Sequence, residues 1–488
     1  MGLKEKTLKG FMWSAIQSGG TRIISFVVFL ILARLIGPES FGLIALAAVF
    51  TAFVSVFVEQ SFAEVIVQRH ELKPEHLDAA FWLSICAAIV LTLLAVLGAT
   101  YAADFYDQPR LELVLQVLSV SIIFAALSGV QQAILRRNFR FKSLAARSLL
   151  AALISGIVGV AMAWQGYGVW SLVGQQLAFS FVGMLALWVA SSWRPRLSFS
   201  FICAKDMLGF VSNMIGFRLV AFFNQKIPDL FIGYFLGAIS LGYYTIGRRL
   251  IDIIMQLVTN TVGQVMLPTF SKLQKNPEQF RKAFYKTTQL VSMVSFPVFV
   301  SMVILANELV PFLFGDKWQQ SVPIVQVLAF LGINGCVMYF TGTVMVAMGK
   351  PGLLLIISLL DLAIKIVIFV VLAKSGIVEI LTAMVIGVYV MIPVKLAFVH
   401  HVIRIDWRTY IAQMFPAILG SLVLVGVLIL MKSIFPVKEG MFLIACAVAG
   451  ILSYMLTIFL VARQLFNELV DLVKTLFFGK LASKGNSV

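Results

Sequence analysis

Leu35-Ile36-Gly37-Pro38-Glu39-Ser40-Phe41-Gly42-Leu43 returns later in the chain as Phe235-Leu236-Gly237-Ala238-Ile239-Ser240-Leu241-Gly242-Tyr243. Gly37, Ser40 and Gly42 recur as Gly237, Ser240 and Gly242, an offset of 200 residues throughout, and the register runs on until Gln60 meets Asn260 and Glu64 meets Gln264. Each copy is a turn between two long apolar stretches. Such stretches, roughly 18 to 25 residues each, recur about fourteen times, and each is long enough to cross a bilayer as a helix. The second copy begins six spans after the first. Six is even, so both units run the same way through the membrane, which predicts parallel repeats around a central path. The expected architecture is an all-α integral membrane protein with two six-helix lobes, 1–206 and 207–402. Two additional membrane helices follow in 403–462, then an amphipathic cytoplasmic tail, 463–488.

Composition supports a polytopic membrane protein. Of 488 residues, 60% are hydrophobic and 12% charged, more apolar surface than a water-soluble fold hides. The loops are too short for an independent soluble domain, and the chain contains neither a GxxxxGK[ST] phosphate loop nor an HExxH helix. Cys86, Cys203, Cys336 and Cys446 lie far apart in or beside apolar segments and read as packed thiols. His70, His76, His400 and His401 fall in loops or at helix ends. No metal or cofactor is expected. Lys4, Lys6 and Lys9 precede an apolar run too long for a signal peptide, so it reads as a retained first span. The net charge of +16 is distributed by topology. One side holds the cluster Arg136, Arg137, Arg140, Lys142 and Arg147 and most other cations, while the opposite side holds Arg110, Lys317, Lys374, Lys432 and Lys438. This positive-inside bias places both termini in the cytoplasm and argues against nucleic acid as the partner.

A charge at the centre of a bilayer helix costs about 2.5–3.5 kcal/mol on insertion scales, so retained charges normally face protein or water. On the first span Ser14, Ser18, Arg22 and Ser25 share a face. On the seventh, Arg218, Gln225 and Asp229 share one face and Asn213 and Asn224 another, with Lys226 as a further cation. The eighth carries Arg248, Asp252 and Gln256 in a polar stripe; the second carries Ser55 and Glu59 one turn apart, then Gln60 and Glu64. These spans define a polar path. Arg22 and Arg218 have no carboxylate one turn away on their own helix and are the leading anion ligands, with Arg248 and Lys226 as further cations. Ser18, Ser25, Asn213, Asn224, Gln225 and Gln256 supply polar lining. Glu59 is the leading carboxylate for a coupling proton or sodium ion, followed by Glu64, Asp252 and Asp361. Arg248 with Asp252, and Asp361 with Lys365, are each spaced i, i+4 and read equally as structural ion pairs.

Several strings carry a family resemblance. They are Gln68-Arg69 with Leu77-Asp78-Ala79-Ala80-Phe81-Trp82, Phe105-Tyr106, Arg136-Arg137-Asn138-Phe139, and Gly166-Tyr167-Gly168-Val169-Trp170-Ser171-Leu172-Val173. In this order they resemble the polysaccharide transporter family: Wzx-type flippases of the colanic-acid and teichuronic-acid exporter kind. That family lies within the superfamily that also holds multidrug MATE exporters and the lipid II flippase. The resemblance covers spans one to twelve well and the last two less distinctly. It implies a MATE-like fold in the bacterial inner membrane and movement of a polyprenyl-pyrophosphate-linked oligosaccharide between leaflets. It also implies alternating access coupled to H+ or Na+, and a polysaccharide polymerase and export machinery as partners. Arg22, Arg218 and Arg248 would form the cationic cavity by position. Three alternatives stand beside it. A MATE-like small-molecule antiporter would want an acidic cavity. A membrane-embedded polymerase or ligase would want a larger outer loop than the one expected near Asn307 to Gln319. A non-transporting scaffold would have no wet path.

Overall fold

The computed structural model describes residues 3–58, 66, 73–198, 200–434 and 440–463, and these are helical nearly throughout. In chain order the helices are α1 (Leu3–Leu35), α2 (Pro38–Val58), α3 (Pro74–Phe105), α4 (Pro109–Arg137), α5 (Phe141–Trp164), α6 (Val169–Ala190) and α7 (Phe201–Leu273). They continue with α8 (Pro277–Phe314), α9 (Ser321–Ala347), α10 (Pro351–Val371), α11 (Ile377–Ile403), the short α12 (Trp407–Ala412), α13 (Phe415–Ile434) and α14 (Gly440–Val461). Five of them start on proline, at Pro38, Pro74, Pro109, Pro277 and Pro351. Proline fits the first helical position because its missing N–H would have no partner there.

Thirteen described segments are long and apolar enough to cross a membrane. One of them, Arg218–Leu273, has 56 residues, which at 1.5 Å per residue is far more than one bilayer needs. Gly237 divides α7 with φ +80° and ψ 173°, a conformation glycine adopts without a steric penalty. The two arms, 201–236 and 238–273, are separate spans, and the joint falls at the repeated turn. The chain is an all-α multi-pass membrane protein. Helix α8 differs from expectation. It runs unbroken to Phe314 and a 3-10 turn, Asp316–Trp318, follows Gly315, so most of the anticipated Asn307–Gln319 loop is helix. The expected amphipathic tail lies outside the described residues beyond Arg463.

Two compact units emerge. The first comprises Met1–Thr245 and Ser358–Ile377, the second Ile246–Ile357 and Val378–Val488. In the first, α1 packs along α5 in parallel. A Cβ on Gly10, Gly20 or Gly156 would meet Phe141, Leu149 or Val28 respectively, and Gln17 Nε2 donates to Ser148 Oγ at 2.8 Å. Lipid tails are as apolar as leucine, so close packing of small residues, rather than the hydrophobic effect, holds such helices together. The α3 start is anchored by aromatic rings and one carboxylate. Phe81 packs edge-on against Trp82 and Trp193. Asp78, 2% exposed, accepts from the Arg196 N–H at 3.0 Å and the Ser198 hydroxyl at 3.3 Å.

The repeat has a structural counterpart inside the first unit. A Cβ on Gly42 would fall onto the carbonyl of Ala238, and a Cβ on Gly242 would fall onto the carbonyl of Pro38. Positions 42 and 242 correspond, as do 38 and 238. Each copy of the turn therefore seats its glycine on the other copy's backbone, the reciprocity of a two-fold contact.

In the second unit, buried residues of α8, α13 and α14, including Met293, Leu424 and Cys446, form one core. Pro297 has no N–H to give the Met293 carbonyl four residues back. The Tyr454 hydroxyl of α14 donates to that carbonyl at 2.9 Å.

Candidate functional site

Below the glycine contact α2 and the first arm of α7 run antiparallel. A Cβ on Gly233 would strike Leu46, and further along the Phe53 and Phe222 rings lie 5.5 Å apart between centroids. Alongside this stretch the two helices border a cavity of about 550 Å3, a size usual for ligand sites. Its polar lining comes from four helices. Thr51 and Ser55 belong to α2, Ser121 to α4, Gln176 and Ser180 to α6, and Arg218, Gln225 and Lys226 to α7. Small and apolar side chains such as Ala48, Ala52, Ala221 and Phe222 fill the gaps. Among the described residues no carboxylate lines it.

The chemistry of this lining is split between donors and acceptors. The Thr51 hydroxyl donates to the carbonyls of Ala47 and Ala48 at 3.2 Å each. The Ser55 hydroxyl donates to the Thr51 carbonyl at 2.9 Å, and the Ser121 hydroxyl to the Leu118 carbonyl at 2.6 Å. Hydroxyls whose hydrogens serve their own helix still offer oxygen lone pairs. Arg218, Lys226 and the amide nitrogens of Gln176 and Gln225 are donors. Lys226 is held by Asp229 at 2.8 Å, an ion pair three residues apart on α7. A wall of two cations, two amides and several hydroxyl oxygens can hold an anion and the hydroxyls of a neutral polyol together.

The anticipated site residues separate into groups. Arg218, Gln225 and Lys226 come together in the cavity. Asn224 stands behind it. Its Nδ2 donates to the Ser358 carbonyl of α10 at 2.6 Å, and its carbonyl and Oδ1 accept from Lys365. Arg22, Ser18 and Ser25 lie on α1, outside the lining of this cavity. Arg248 and Asp252, in the second unit, form an ion pair at 2.8 Å, and Gln256 is exposed one turn on. Asp361 lies on α10, one turn before Lys365. Glu59, Glu64 and the Asn213 side chain lie outside the described residues. Sequence reasoning missed Thr51, Ser121, Gln176 and Ser180 as lining. Gln176 and Ser180 are spaced i, i+4 on one face of a largely apolar span that also carries Ser171 and Gln175, the signal that could have found them.

Helices in this order, with a turn repeated at a fixed offset and a polar cavity within lipid-length spans, define the fold class of multi-pass membrane transporters. The structure resembles that of lipid II flippase MurJ in an inward closed conformation, with a TM-score of 0.75 and 15% identity, covering 93% of this chain and 99% of that one. It also resembles an inward-facing MATE family multidrug transporter, with a TM-score of 0.59 and 15% identity over 78% of this chain and 96% of that one. At the sequence level a profile of the polysaccharide biosynthesis protein family matches residues 31–323. The chain belongs to that family. It is 25% identical over 354 residues to the teichuronic acid biosynthesis protein TuaB of Bacillus subtilis, covering 72% of this chain and 73% of TuaB. It is 26% identical over 342 residues to the lipopolysaccharide biosynthesis protein WzxC of Escherichia coli, covering 68% of each.

Proposed function

We propose that this protein flips a polyprenyl-diphosphate-linked oligosaccharide from the cytoplasmic to the outer leaflet of a bacterial inner membrane, for exopolysaccharide or lipopolysaccharide synthesis. The observation that carries the reading is the cavity with Arg218 and Lys226 in its wall and no carboxylate among its described lining residues. A diphosphate buried away from water needs charged donors, and Arg218 offers a planar, two-pronged one. Sugar hydroxyls need both donors and acceptors, which the glutamines and the Thr51, Ser55, Ser121 and Ser180 oxygens supply. The apolar tail stays in lipid. No bond in the substrate is made or broken. Membership of a polysaccharide biosynthesis family and likeness to a flippase fold support the substrate class.

The transport cycle is alternating access of the lobes 1–206 and 207–402, with both termini cytoplasmic, as the cation distribution favours. Arg22 and Arg248 serve as further cations along the path. The coupling ion is a proton or sodium ion taken up by Glu59, whose charge burial would penalise, with Glu64, Asp252 and Asp361 as the other carboxylates. A polymerase and export machinery receive the product. With Arg218 and Lys226 in the wall and no carboxylate among the described lining residues, the cavity favours an anionic cargo over a small cationic drug.

Export in cells lacking the native gene is the test. Arg218→Ala, confirmed in the membrane at normal abundance, lowers surface polysaccharide at least about tenfold, since losing a charge-assisted contact is worth roughly 1.5–3 kcal/mol. Undiminished polysaccharide from this variant removes the proposed anion site.

A further inference from the structure

Pro228 interrupts the hydrogen-bond ladder of α7 beside the cavity. It has no N–H, so the carbonyl of Asn224, four residues earlier, lacks its usual intrahelical donor. Lys365, on α10 and 141 residues away in sequence, supplies the missing donor. Its Nζ donates to the Asn224 carbonyl at 2.9 Å and to Asn224 Oδ1 at 3.0 Å. Asn224 Nδ2 answers by donating to the Ser358 carbonyl of α10 at 2.6 Å. Three bonds therefore tie one turn of α7 to two levels of α10, all within the first compact unit. That turn carries Gln225 and Lys226, which line the cavity, and it runs on to Asp229, which holds the Lys226 ammonium.

We propose that Lys365 is a positioning residue for the anion site, setting the aim of Gln225 and Lys226 through the carbonyl that Pro228 leaves open. The inference rests on the cavity being that site. An ordinary residue at position 228 would fill the Asn224 carbonyl by itself, with no charge placed in an apolar helix. Proline and lysine together instead make the geometry of this turn depend on α10. Small misplacements of contact groups weaken binding strongly, so the link is felt at the ligand.

The test is a two-residue cycle on the purified full-length protein, with inorganic pyrophosphate as the probe, calorimetry for affinity and a melting curve for the fold. Lys365→Met keeps the bulk and removes the donor; affinity falls about tenfold, as for loss of one charge-assisted bond. Pro228→Ala restores a backbone N–H and binds as the unaltered protein does. The double variant, Pro228→Ala with Lys365→Met, recovers affinity to within about threefold because the carbonyl is satisfied again. A purely structural lysine would move the melting curve and leave the affinity of the folded fraction unchanged. Lys365→Met binding as tightly as the unaltered protein, or a double variant no better than Lys365→Met, overturns the proposal. Should Lys365→Met not assemble, the double variant decides alone: loss of pyrophosphate binding in it overturns the proposal. Binding abolished by Arg218→Ala but intact in Lys365→Met sinks this inference and keeps the cavity. No binding by the unaltered protein removes both.

Discussion

Asp78 shows how one carboxylate organises a loop. It is buried and receives two donors from residues 196–198, while the Trp82 indole N–H donates to the Arg196 carbonyl at 2.8 Å. Asp78→Ala strands those donors, and a melting curve of the purified variant shifts down by the equivalent of about 1–3 kcal/mol. An unchanged curve would show that the loop does not depend on it. Asp406 is a second such case, at the exposed start of α12. Its side chain accepts from the Thr409 hydroxyl and from the backbone N–H groups of Thr409 and Arg408. The Thr409 hydroxyl and N–H, above all, hold its carboxyl below the usual carboxylate range. A lowered folded-state value means the cap is fully present above the ordinary carboxylate pKa and fails as pH falls through the depressed one. Thr409→Val raises the Asp406 titration measured by NMR; an unmoved titration would contradict the assigned cause. At this scale the sequence was partly readable. Arg248 with Asp252 was visible as an i, i+4 pair, because helical spacing is local. Lys365 with Asn224 was not, because nothing in one helix says which turn of another it will meet.

Prolines and glycines set the helices in place. Where Pro297 opens the Met293 carbonyl, Tyr454 closes it. Tyr454→Phe leaves that carbonyl unsatisfied and lowers stability by about 1 kcal/mol, within the range for membrane hydrogen bonds. Adding Pro297→Ala restores the loss in a denaturation series; no recovery would mean the hydroxyl acts elsewhere. At the repeated turn the tolerance is far smaller. Gly42→Val drives a side chain into the Ala238 carbonyl, and Gly242→Val does the same to Pro38. Either variant separates the two turns or fails to assemble, read as lost protein in the membrane fraction. Normal abundance and export from both would refute a close reciprocal seat. The repeat was legible because the glycines it needs are spelled out at matching positions. The full extent of α8 was not, since Asn307, Glu308 and Pro311 resemble loop residues until packing holds them in a helix. The Glu308 carboxylate is in fact paired with Lys432 at 2.9 Å.

At the scale of the whole molecule, hydrophobic rhythm and the offset of 200 residues were enough to reach an all-α multi-pass membrane protein with a repeated unit, while the transporter reading came with the family resemblance. The cavity was less legible. Helical faces singled out Arg218 and Gln225 on α7, yet α4 and α6 close the same space with Ser121, Gln176 and Ser180, and the spacing within one helix does not say that its polar face will meet α7. The most direct measurement compares a short-chain polyprenyl diphosphate with the matching polyprenol by native mass spectrometry. The purified unaltered protein and Arg218→Ala are examined side by side. The unaltered protein favours the diphosphate by at least about tenfold, as a charge-assisted contact to phosphate warrants, and Arg218→Ala loses that preference while still taking up the polyprenol. An equal preference for the diphosphate in both proteins would contradict an anion site in this cavity.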